Sequence, residues 1–559
     1  MTRDHEPTRQ LPRPAATVLL LRDAANGPEV LMLKRSPTAA FVANAYVFPG
    51  GAVDASDTLA LAHVIGLDDQ QASARLDLPE GGLAYWVAAV RECFEESGIL
   101  LAIDAHGAPV SAERAASLSV HRAAVNAGTL SFGALLEQEQ LFIDAHSLAY
   151  FAHWITAPGR PRRFTTRFFV AHAPVGQLGS HDASETVDSR WISAQDALAA
   201  CARNEIELVH PTRVSLEEIV PFERAEQIIH FARDRTDIVT NKPCWGVGRE
   251  GKKLFRRGMP AYAEIHWCDP HEQGNTSYEL IAGVPKTLDA YVTRLIAPNP
   301  GFMTGPGTNT YLVGTDAIAV IDPGPDLDVH VDAILAAGAG RIRWVLCTHT
   351  HLDHSPAARR IKAATGASIY GRPAPEGRNQ DPAFAPDHVL QHDARLPIGP
   401  LTLRAIHTPG HASNHLCYLL ENTQMLFTGD HVMQGSTVVI NPPDGDMIAY
   451  LASLEMLTQL PVAVFAPGHG YLIGEPHREA QRLIAHRLAR EAKVIAAMQR
   501  LGPVDSETLV AAVYDDVPAK VHPVALRSLH GHLGKLRVEQ RVRGDASRWE
   551  WIPSHAEKH

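Results

Sequence analysis

The sequence predicts a multi-domain protein that combines α/β and α+β architecture. Its 559 residues exceed what one hydrophobic core usually organises, so two or more domains are expected. Short apolar runs typical of strands alternate with helical patterns over long stretches of the chain. From Tyr291 to about residue 475 this alternation is regular, which indicates a layered α/β domain.

The composition restricts the classes of protein that fit. With 45% apolar and 20% charged residues, the chain has the balance of a soluble globular protein. No apolar run reaches the roughly 18 residues of a membrane span, and the start MTRDHEPTRQ is not a signal peptide, so we expect a cytoplasmic protein without a membrane partner. Six cysteines without a CxxC pair favour reduced thiols. The net charge of −11 argues against a protein that binds nucleic acid over much of its surface. A local basic face is still compatible with this net charge.

Individual elements follow from local patterns. In the first half, a helical pattern begins at Leu83 and is expected to end near Ser97, before Gly98. Strands are predicted in ATVLLL (16–21), EVLMLK (29–34) and FTTRFFVAHA (164–173), and a strand followed by a helix in RWISAQDALAA (190–200). The second half predicts a hairpin (310–314 and 317–322), a helix (328–338), a buried strand (343–349) and helices from Pro476 to about 538.

Seven potential metal ligands follow strand ends in the second half. THTHLDH (348–354) contributes His349, His351, Asp353 and His354, and three further turns contribute one residue each, namely His411 in TPGH, Asp430 in FTGD and His469 in APGHG. Imidazoles and carboxylates without thiolates suit zinc or a similar metal. Seven ligands suffice for two zinc ions.

The order of these ligands resembles the metallo-β-lactamase superfamily, whose pattern HxHxDH, H, D, H is matched throughout. The resemblance implies an αββα sandwich with a binuclear site. It implies that His349, His351 and His411 hold one metal, that Asp353, His354 and His469 hold the other, and that Asp430 bridges them. The reaction would be hydrolysis by a metal-activated water, with Asp353 as the catalytic residue that orients the water and passes a proton to the leaving group.

A finer resemblance favours a phosphodiester as the bond that this site cleaves. The segments APNPGFMTGPGTNTYLVG (297–314) and HTPGHASNHLCYLLE (407–421) resemble the lactamase-beta-like protein 2 branch, which implies a winged-helix-like tail and hydrolysis of phosphodiesters in single-stranded RNA. Residues 477–545 carry twelve Lys or Arg and eight Asp or Glu, which permits contact with phosphates. Hydroxyacylglutathione hydrolases share the ligand pattern, so thioester hydrolysis is the alternative.

A second charged cluster lies on the helix in the first half. Glu92, Glu95 and Glu96 stand at i, i+3 and i+4, so three negative charges share one face and repel one another. Arg91 alone cannot neutralise them. Carboxylates on a rigid helix suit Mg²⁺ or Mn²⁺ bound together with substrate phosphates, whereas a solvated acidic face is the structural alternative.

RECFEESGI (91–99) resembles the core of the Nudix box, REUxEExGU, and the preceding FPGGAVDASD supplies Gly51 and Asp57. Because 33 residues separate Asp57 from Arg91, the chain resembles the interrupted-box Nudix group that includes coenzyme A diphosphatases. The resemblance implies an α/β/α sandwich that hydrolyses a nucleoside diphosphate derivative. The implied metal ligands are Glu92, Glu95 and Glu96, with Glu96 and Arg91 as catalytic residues. Gly50 and Gly51 would shape the phosphate loop, and Glu185 is a further acidic candidate.

The substrate of this first site is predicted from a second motif. KRSPTAAFVANAYVFPGG (34–51) keeps the spacing of the coenzyme A signature from Arg35 onward, which makes Arg35 a candidate substrate-binding residue. Ala40 stands where the signature has arginine, and Asn44 stands where it has glycine. Coenzyme A derivatives are favoured, and other nucleoside diphosphate derivatives stay open.

Together these patterns predict a bifunctional hydrolase that acts on small phosphate-containing molecules. The predicted boundaries are a Nudix domain (12–225) with an insertion (58–82), a connecting segment with short strands (226–290), a metallo-β-lactamase domain (291–480) and a winged-helix-like tail (481–550). In the alternative, the C-terminal half is a thioesterase and the Nudix half is its substrate-binding module. The oligomeric state is left open.

Overall fold

Two compact units, Met1–Pro243 and Cys244–His559, make up the chain in the computed structural model. The structure describes residues 11–37, 43–180, 186–377, 379–545 and 547–553. The segment predicted to connect the domains (226–290) is divided between the two units.

A mixed sheet is the centre of the first unit. Its strands run in the order β10-β2-β1-β9-β8-β11, with β3 beside β2 and β4 beside β1. β1 pairs in parallel with β9 and antiparallel with β2. The strands of the first unit, including β5 to β7 in a small separate sheet, are β1 Arg13–Ala24, β2 Gly27–Arg35, β3 Tyr46–Val47, β4 Gly50–Ala52, β5 Val64–Ile65, β6 Ile103–Asp104, β7 Leu141–Asp144, β8 Leu148–Ile155, β9 Phe164–His172, β10 Thr186–Ser193 and β11 Thr240–Asn241.

Helices cover both faces of this sheet. Alternate residues of β1 point to opposite faces, so Val18 and Leu20 pack against α2 whereas Leu19 and Leu21 pack against α7 and α8. The predicted α/β/α sandwich is therefore confirmed. The helices are α1 Asp69–Arg75, α2 Leu83–Ser97, α3 Ala112–Leu118, α4 Arg122–Asn126, α5 Phe132–Gln138, α6 Ala194–Ala202, α7 His210–Ile219 and α8 Ala225–Asp234.

The helix that carries the three glutamates has the predicted bounds. α2 ends where Gly98 adopts a φ of 71°, a left-handed conformation that glycine adopts without steric cost. Its N-terminus begins at Gly82 and lacks a side-chain cap of its own. The carboxylate of Asp69, from the predicted insertion, instead accepts hydrogen bonds from the backbone of Gly81 and Leu83 at 2.9 Å each.

We expect Asp69→Ala to destabilise the first unit by about 1 kcal/mol, the usual effect of losing a helix N-cap. The two backbone hydrogen bonds lower the pKa of Asp69 below its ordinary value of 3.8. Its contribution is therefore complete above that value and is lost as the pH falls through the lower, folded value. Urea midpoints at pH 7 and pH 3 measure both effects, with Glu80→Gln as the control. A difference between wild type and variant that is as large at pH 3 or below as at pH 7 would contradict this role.

The second unit begins with a small subdomain. A two-stranded sheet, β12 (Cys244–Gly248) with β13 (Gly251–Phe255), packs against α9 (Tyr262–Cys268). Glu264 of α9 is fully buried and binds Arg294 at 2.6 Å and Lys286 at 2.5 Å. These ion pairs join α9 to the first strands of the larger sheet.

Two sheets packed face to face make up the body of the second unit. The first has the order β14-β15-β16-β17-β18-β19-β20 and the second β21-β22-β23-β24-β25. Their strands are β14 Lys286–Thr287, β15 Val292–Ile296, β16 Asn309–Val313, β17 Ile318–Ile321, β18 Ile342–Leu346, β19 Ser368–Gly371, β20 His388–Val389, β21 Arg395–Ile398, β22 Leu401–His407, β23 Leu416–Leu420, β24 Met425–Gly429 and β25 Val464–Pro467.

Helices cover the outer face of each sheet. One apolar core lies between the sheets, a second lies under α10 (Asp328–Gly338) and α11 (Ala358–Thr365), and a third lies under α12 (Met447–Leu457) and the start of α13 (Pro476–Leu501). This four-layer arrangement confirms the predicted αββα sandwich.

The tail forms its own core from the end of α13, from α14 (Ser506–Val513), from α15 (His522–Val538) and from the hairpin of β26 (Val542–Asp545) and β27 (Arg548–Trp551). Leu529, Leu533 and Leu536 of α15 are buried in this core. Helices followed by a hairpin match the predicted winged-helix form. Among the described residues, no helix combines the length and the apolar composition needed to cross a membrane.

Candidate functional site

The seven predicted ligands of the second unit meet at one edge of the two sheets. β18 delivers the loop with His349, His351, Asp353 and His354, and the ends of β22, β24 and β25 deliver the others. The ligand atoms form two groups, each with all its atoms within 4.8 Å of one another: His349, His351 and His411 in the first, and Asp353, His354, Asp430 and His469 in the second.

Asp430 lies between the two groups. Its Oδ1 is 3.4 Å from His354 Nε2 and 3.3 Å from His469 Nε2, whereas its Oδ2 is 3.9 Å from His411 Nε2. Asp353 Oδ2 is 3.4 Å from His469 Nε2. One carboxylate thus faces both groups, as a bridging ligand does.

Hydrogen bonds to the opposite ring nitrogens fix the orientation of four imidazoles. Nδ1 of His349 contacts Thr348 Oγ1 at 3.0 Å, and Nδ1 of His411 contacts the carbonyl oxygen of Val439 at 2.8 Å. His354 and His469 are held in the same way by Asp322 and by the carbonyl oxygen of Gly307. Nε2 of each of these four rings therefore points into the site, the arrangement usual for histidines that bind metals.

Asp322, which the sequence analysis did not name, organises the floor of the site. Its carboxylate accepts hydrogen bonds from Thr348 N at 2.7 Å and Thr348 Oγ1 at 2.8 Å, and contacts His354 Nδ1 at 2.9 Å. The residue has a φ of 50°, which Asp tolerates better than most residues. The only sequence signal was an Asp before Pro-Gly at the end of a predicted strand.

The donor set fits two zinc ions. Among buried atoms of the described residues, His354 Nε2, His469 Nε2 and Asp430 Oδ1 have no hydrogen-bond partner although they converge. Burial, together with His411, lowers the pKa of His351 to about 3, so this imidazole is neutral and able to bind a metal. Burial alone would lower the pKa of His469, but Asp430 and Asp353 raise it to about 9. The two carboxylates thus favour positive charge at this point.

A cavity of about 750 Å³ opens over these ligands. Most of its wall is apolar, and Leu352 and Met303 at its rim are 52% and 47% exposed. The neighbouring Phe302 is 76% exposed. Arg527, on α15 of the tail, is a cation in the cavity wall that the sequence analysis also missed.

In the first unit, the two separated parts of the interrupted motif contact each other. Arg91 donates to both carboxylate oxygens of Asp57, at 2.7 Å from Nε and 3.1 Å from Nη2, although 33 residues separate the two in the chain. Its Nη1 donates to Glu92 at 2.8 Å and contacts Glu95 at 3.2 Å. Arg91 thus holds the carboxylates on both sides of the insertion.

The predicted phosphate loop packs directly against the glutamates. Gly50 N donates to Glu96 Oε2 at 3.0 Å. A Cβ on Gly51 would lie only 2.4 Å from Glu92 Oε1, so any other residue here would displace the Glu92 carboxylate. The side chains of Glu92, Glu95 and Glu96 line one cavity. In a candidate metal group, three or more ligand atoms all lie within 4.8 Å of one another, and the groups of this kind found in the described residues do not include these glutamates. Glu92 and Glu95 point toward Arg91, and Glu96 points toward the loop.

We expect Asp57→Asn to destabilise the first unit by about 3 kcal/mol, because the charge of the buried Arg91 loses its best partner while Glu92 and Glu95 remain. Burial opposes the charged form of Arg91, but Asp57 and the two glutamates raise its pKa. The urea midpoint measures the loss, with the exposed Glu80→Gln as the control. Equal midpoints for wild type and Asp57→Asn would contradict this role.

The cavity over the glutamates holds about 520 Å³. It contains the predicted Arg35 and also two arginines that the sequence analysis did not name, Arg13 and Arg162. Phe48 and Phe168 form an aromatic wall with their rings edge to face, 6.4 Å apart. The only signal for Arg162 was its place in PRRFTTRFF, before a predicted strand.

Two departures from the coenzyme A signature have different outcomes. Asn44 has a φ of 65°, a left-handed conformation that Asn adopts more readily than most residues other than glycine. Ala40 lies outside the described residues, as does the acidic candidate Glu185.

Three stretches match known families. Residues 303–469 match the metallo-beta-lactamase superfamily, residues 60–218 match the NUDT19 Nudix domain, and residues 506–549 match the beta-lactamase associated winged helix domain.

Individual relatives agree with these matches. The chain is 30% identical over 270 residues to the beta-lactamase-like protein 2 homolog of Drosophila melanogaster, which covers 46% of this chain and 91% of that protein. It is 34% identical over 241 residues to thioesterase pkgB of Emericella nidulans, which covers 42% of this chain and 67% of that protein. A crystal structure of a metallo-beta-lactamase family protein from Thermus thermophilus is 21% identical, has a TM-score of 0.41, and covers 48% of this chain and 100% of that one.

Proposed function

We propose that this chain, which belongs to the metallo-β-lactamase superfamily and carries a Nudix domain of the NUDT19 type, hydrolyses two kinds of bond at two separate sites. The first site would cleave the diphosphate of a nucleoside diphosphate derivative of the coenzyme A type. The second would cleave a thioester.

The first proposal rests on the ion pair between Asp57 and Arg91, which lies next to the three glutamates. Glu92, Glu95 and Glu96 would hold Mg²⁺ or Mn²⁺, since hard cations prefer carboxylate oxygens. When bound, the cation neutralises the diphosphate and lowers the pKa of the attacking water. Arg91 holds Glu92 and Glu95 in place through hydrogen bonds.

The cavity wall supports a diphosphate as substrate. Arg13, Arg35 and Arg162 supply cations around the catalytic glutamates, and guanidinium groups suit phosphate oxygens. Phe48 and Phe168 offer faces for a base or another flat group. The spacing from Arg35 to Gly51 is that of the coenzyme A signature. We therefore retain coenzyme A derivatives as the favoured substrates.

For the second site, the cavity favours a thioester over RNA. Its wall is mainly apolar and holds one cation, Arg527, among the described residues, whereas single-stranded nucleic acid needs a basic path with stacked rings. Many of the cations in the tail are paired with carboxylates of the tail, as in Arg490 with Asp516 and Lys535 with Glu491. The name of the relative from Emericella nidulans points the same way.

The roles at this site follow from exposure. Asp353 is the most exposed ligand of the second group and faces the cavity, so it would orient the water and pass a proton to the leaving thiol. His349, His351, His354, His411 and His469, with Asp430 between them, would hold two zinc ions, which activate water and polarise the thioester carbonyl. Arg527 would bind an anionic group of the thiol portion.

The test is a hydrolysis assay of the full-length protein with acyl-coenzyme A, free coenzyme A, ADP-ribose and short single-stranded RNA. We expect thiol release from acyl-coenzyme A, stopped by a zinc chelator, and magnesium-dependent diphosphate cleavage of coenzyme A. Cleavage of RNA without thiol release would overturn the thioester proposal. Diphosphate cleavage that is indifferent to magnesium and manganese would overturn the proposal for the first site.

A further inference from the structure

A second, larger cavity of about 980 Å³ lies in the first unit, and it shares no lining residue with the proposed diphosphatase cavity. Thr166 and Phe168 of β9 line the diphosphatase cavity, and Arg167 between them lines the second one. The end of α1, strand β8 and the segment between α8 and β11 form the remaining walls.

Arg167 is a buried cation without a counter-charge. Arg167 is 5% exposed and has no ion pair within the described part of the chain. Its guanidinium lies over the ring of Tyr85, 5.3 Å from the ring centroid. Nη1 donates to Thr165 Oγ1 at 2.8 Å and Nη2 to the carbonyl oxygen of Leu76 at 3.2 Å, while Nε has no partner. A buried guanidinium that is not paired with a carboxylate is costly, so an anion at this point would stabilise the fold.

The neighbouring side chains supply more positive than negative charge. Arg75, Arg233 and Arg235 line the cavity together with Arg167, against Asp77 and Asp237. Arg235 is paired with Glu218 at 2.7 Å, and Arg233 donates to the carbonyl oxygen of His146 at 2.8 Å. Arg75 is exposed at the end of α1.

The other walls suit the rest of a small organic molecule. His153 is hydrogen-bonded to Thr240 and Thr165, at 2.7 and 2.8 Å, and burial lowers its pKa to about 3, so it adds no charge. Leu148, Ile238 and Val239 are apolar, and the cavity is far larger than a phosphate ion requires.

We propose that this cavity binds a phosphate group, free or carried by a small organic molecule, with the phosphate seated between Arg167 and Arg75. Guanidinium groups bind phosphate oxygens in pairs, and Arg167 and Arg75 both line this cavity. The site is separate from the proposed hydrolysis of diphosphates and does not depend on it.

The test is calorimetric titration of the full-length protein with inorganic phosphate and, separately, with AMP, because the two probes distinguish a free ion from a phosphate ester. We expect Arg167→Gln to raise the dissociation constant at least about tenfold for whichever probe binds, the effect of losing a charged hydrogen bond. The matched control is Arg203→Gln, an exposed arginine of the first unit that lines neither cavity, and it is expected to bind as wild type does. Arg35→Gln reports whether the probe binds in the diphosphatase cavity instead.

Because Arg167 is buried, Arg75→Gln serves as a second variant that leaves the core intact. We expect it to weaken binding about threefold or more. A wild-type protein that binds neither probe, or binding that is lost in Arg35→Gln and kept in Arg167→Gln and Arg75→Gln, would overturn the proposal.

Discussion

Replacement of Glu96 by glutamine is expected to lower magnesium-dependent diphosphate hydrolysis by about 10³-fold and to leave thiol release at the second site unchanged. The amide keeps the size of the side chain and removes the negative charge. Glu96 accepts a hydrogen bond from the phosphate loop at Gly50 N, so its charge lies directly beside the expected diphosphate. Initial rates with coenzyme A at saturating magnesium measure the effect.

The matched control is Glu137→Gln, an exposed glutamate on α5 of the same unit, which is expected to keep the wild-type rate. Binding of Mn²⁺ followed by electron paramagnetic resonance gives a second readout and is expected to weaken only in Glu96→Gln. If Glu96→Gln hydrolysed the diphosphate within twofold of wild type, Glu96 would not be a catalytic ligand. A wild-type protein that hydrolysed no diphosphate would instead identify the first unit as a binding module.

At the second site, we expect Asp353→Asn to lower thioester hydrolysis by about 10²- to 10⁴-fold. The amide cannot take up or pass on a proton, and its oxygen is a weaker metal ligand. Asp353 Oδ2 lies 3.5 Å from His354 Nε2 and 3.4 Å from His469 Nε2, so the substitution changes the centre of the second ligand group. Thiol release from acyl-coenzyme A and zinc content by elemental analysis separate lost chemistry from lost metal.

Asp328→Asn is the control for this variant, because Asp328 is an exposed carboxylate on α10 whose side chain is 88% accessible. It is expected to retain both activity and zinc. An Asp353→Asn protein with full zinc and a wild-type rate would rule out the proposed proton transfer.

The sequence predicted most of the fold because its elements are encoded by local patterns. The bounds of α2 and α10 agree with the predicted ones, since a left-handed glycine ends the first and a regular apolar period marks the second. The candidate metal ligands were also recognisable in the chain, because they stand in four turns that each follow a strand. The structure groups them as the resemblance implies.

Contacts between distant residues were not predictable in the same way. Asp322 supports His354 across 32 residues, and Arg527 reaches the metal cavity from a helix of the tail. Arg13 and Arg162 come from different strand ends, and single arginines carry no sequence signal of their own. The unpaired charge of Arg167 was equally invisible, because the sequence does not say which arginines are buried.

The contact between Asp57 and Arg91 also has a consequence for how this domain varies in length. The ion pair fixes Asp57 against Arg91 at 2.7 Å, whatever the number of residues between Asp57 and the start of α2 at Leu83. In this chain that stretch contains α1, but a longer flexible loop in its place would cost only about 0.6 kcal/mol of closure entropy for each doubling of its length. The Nudix motif can therefore accept an insertion at this point as a thermodynamically small change, and relatives with shorter or longer excursions are expected to keep the same ion pair at its base.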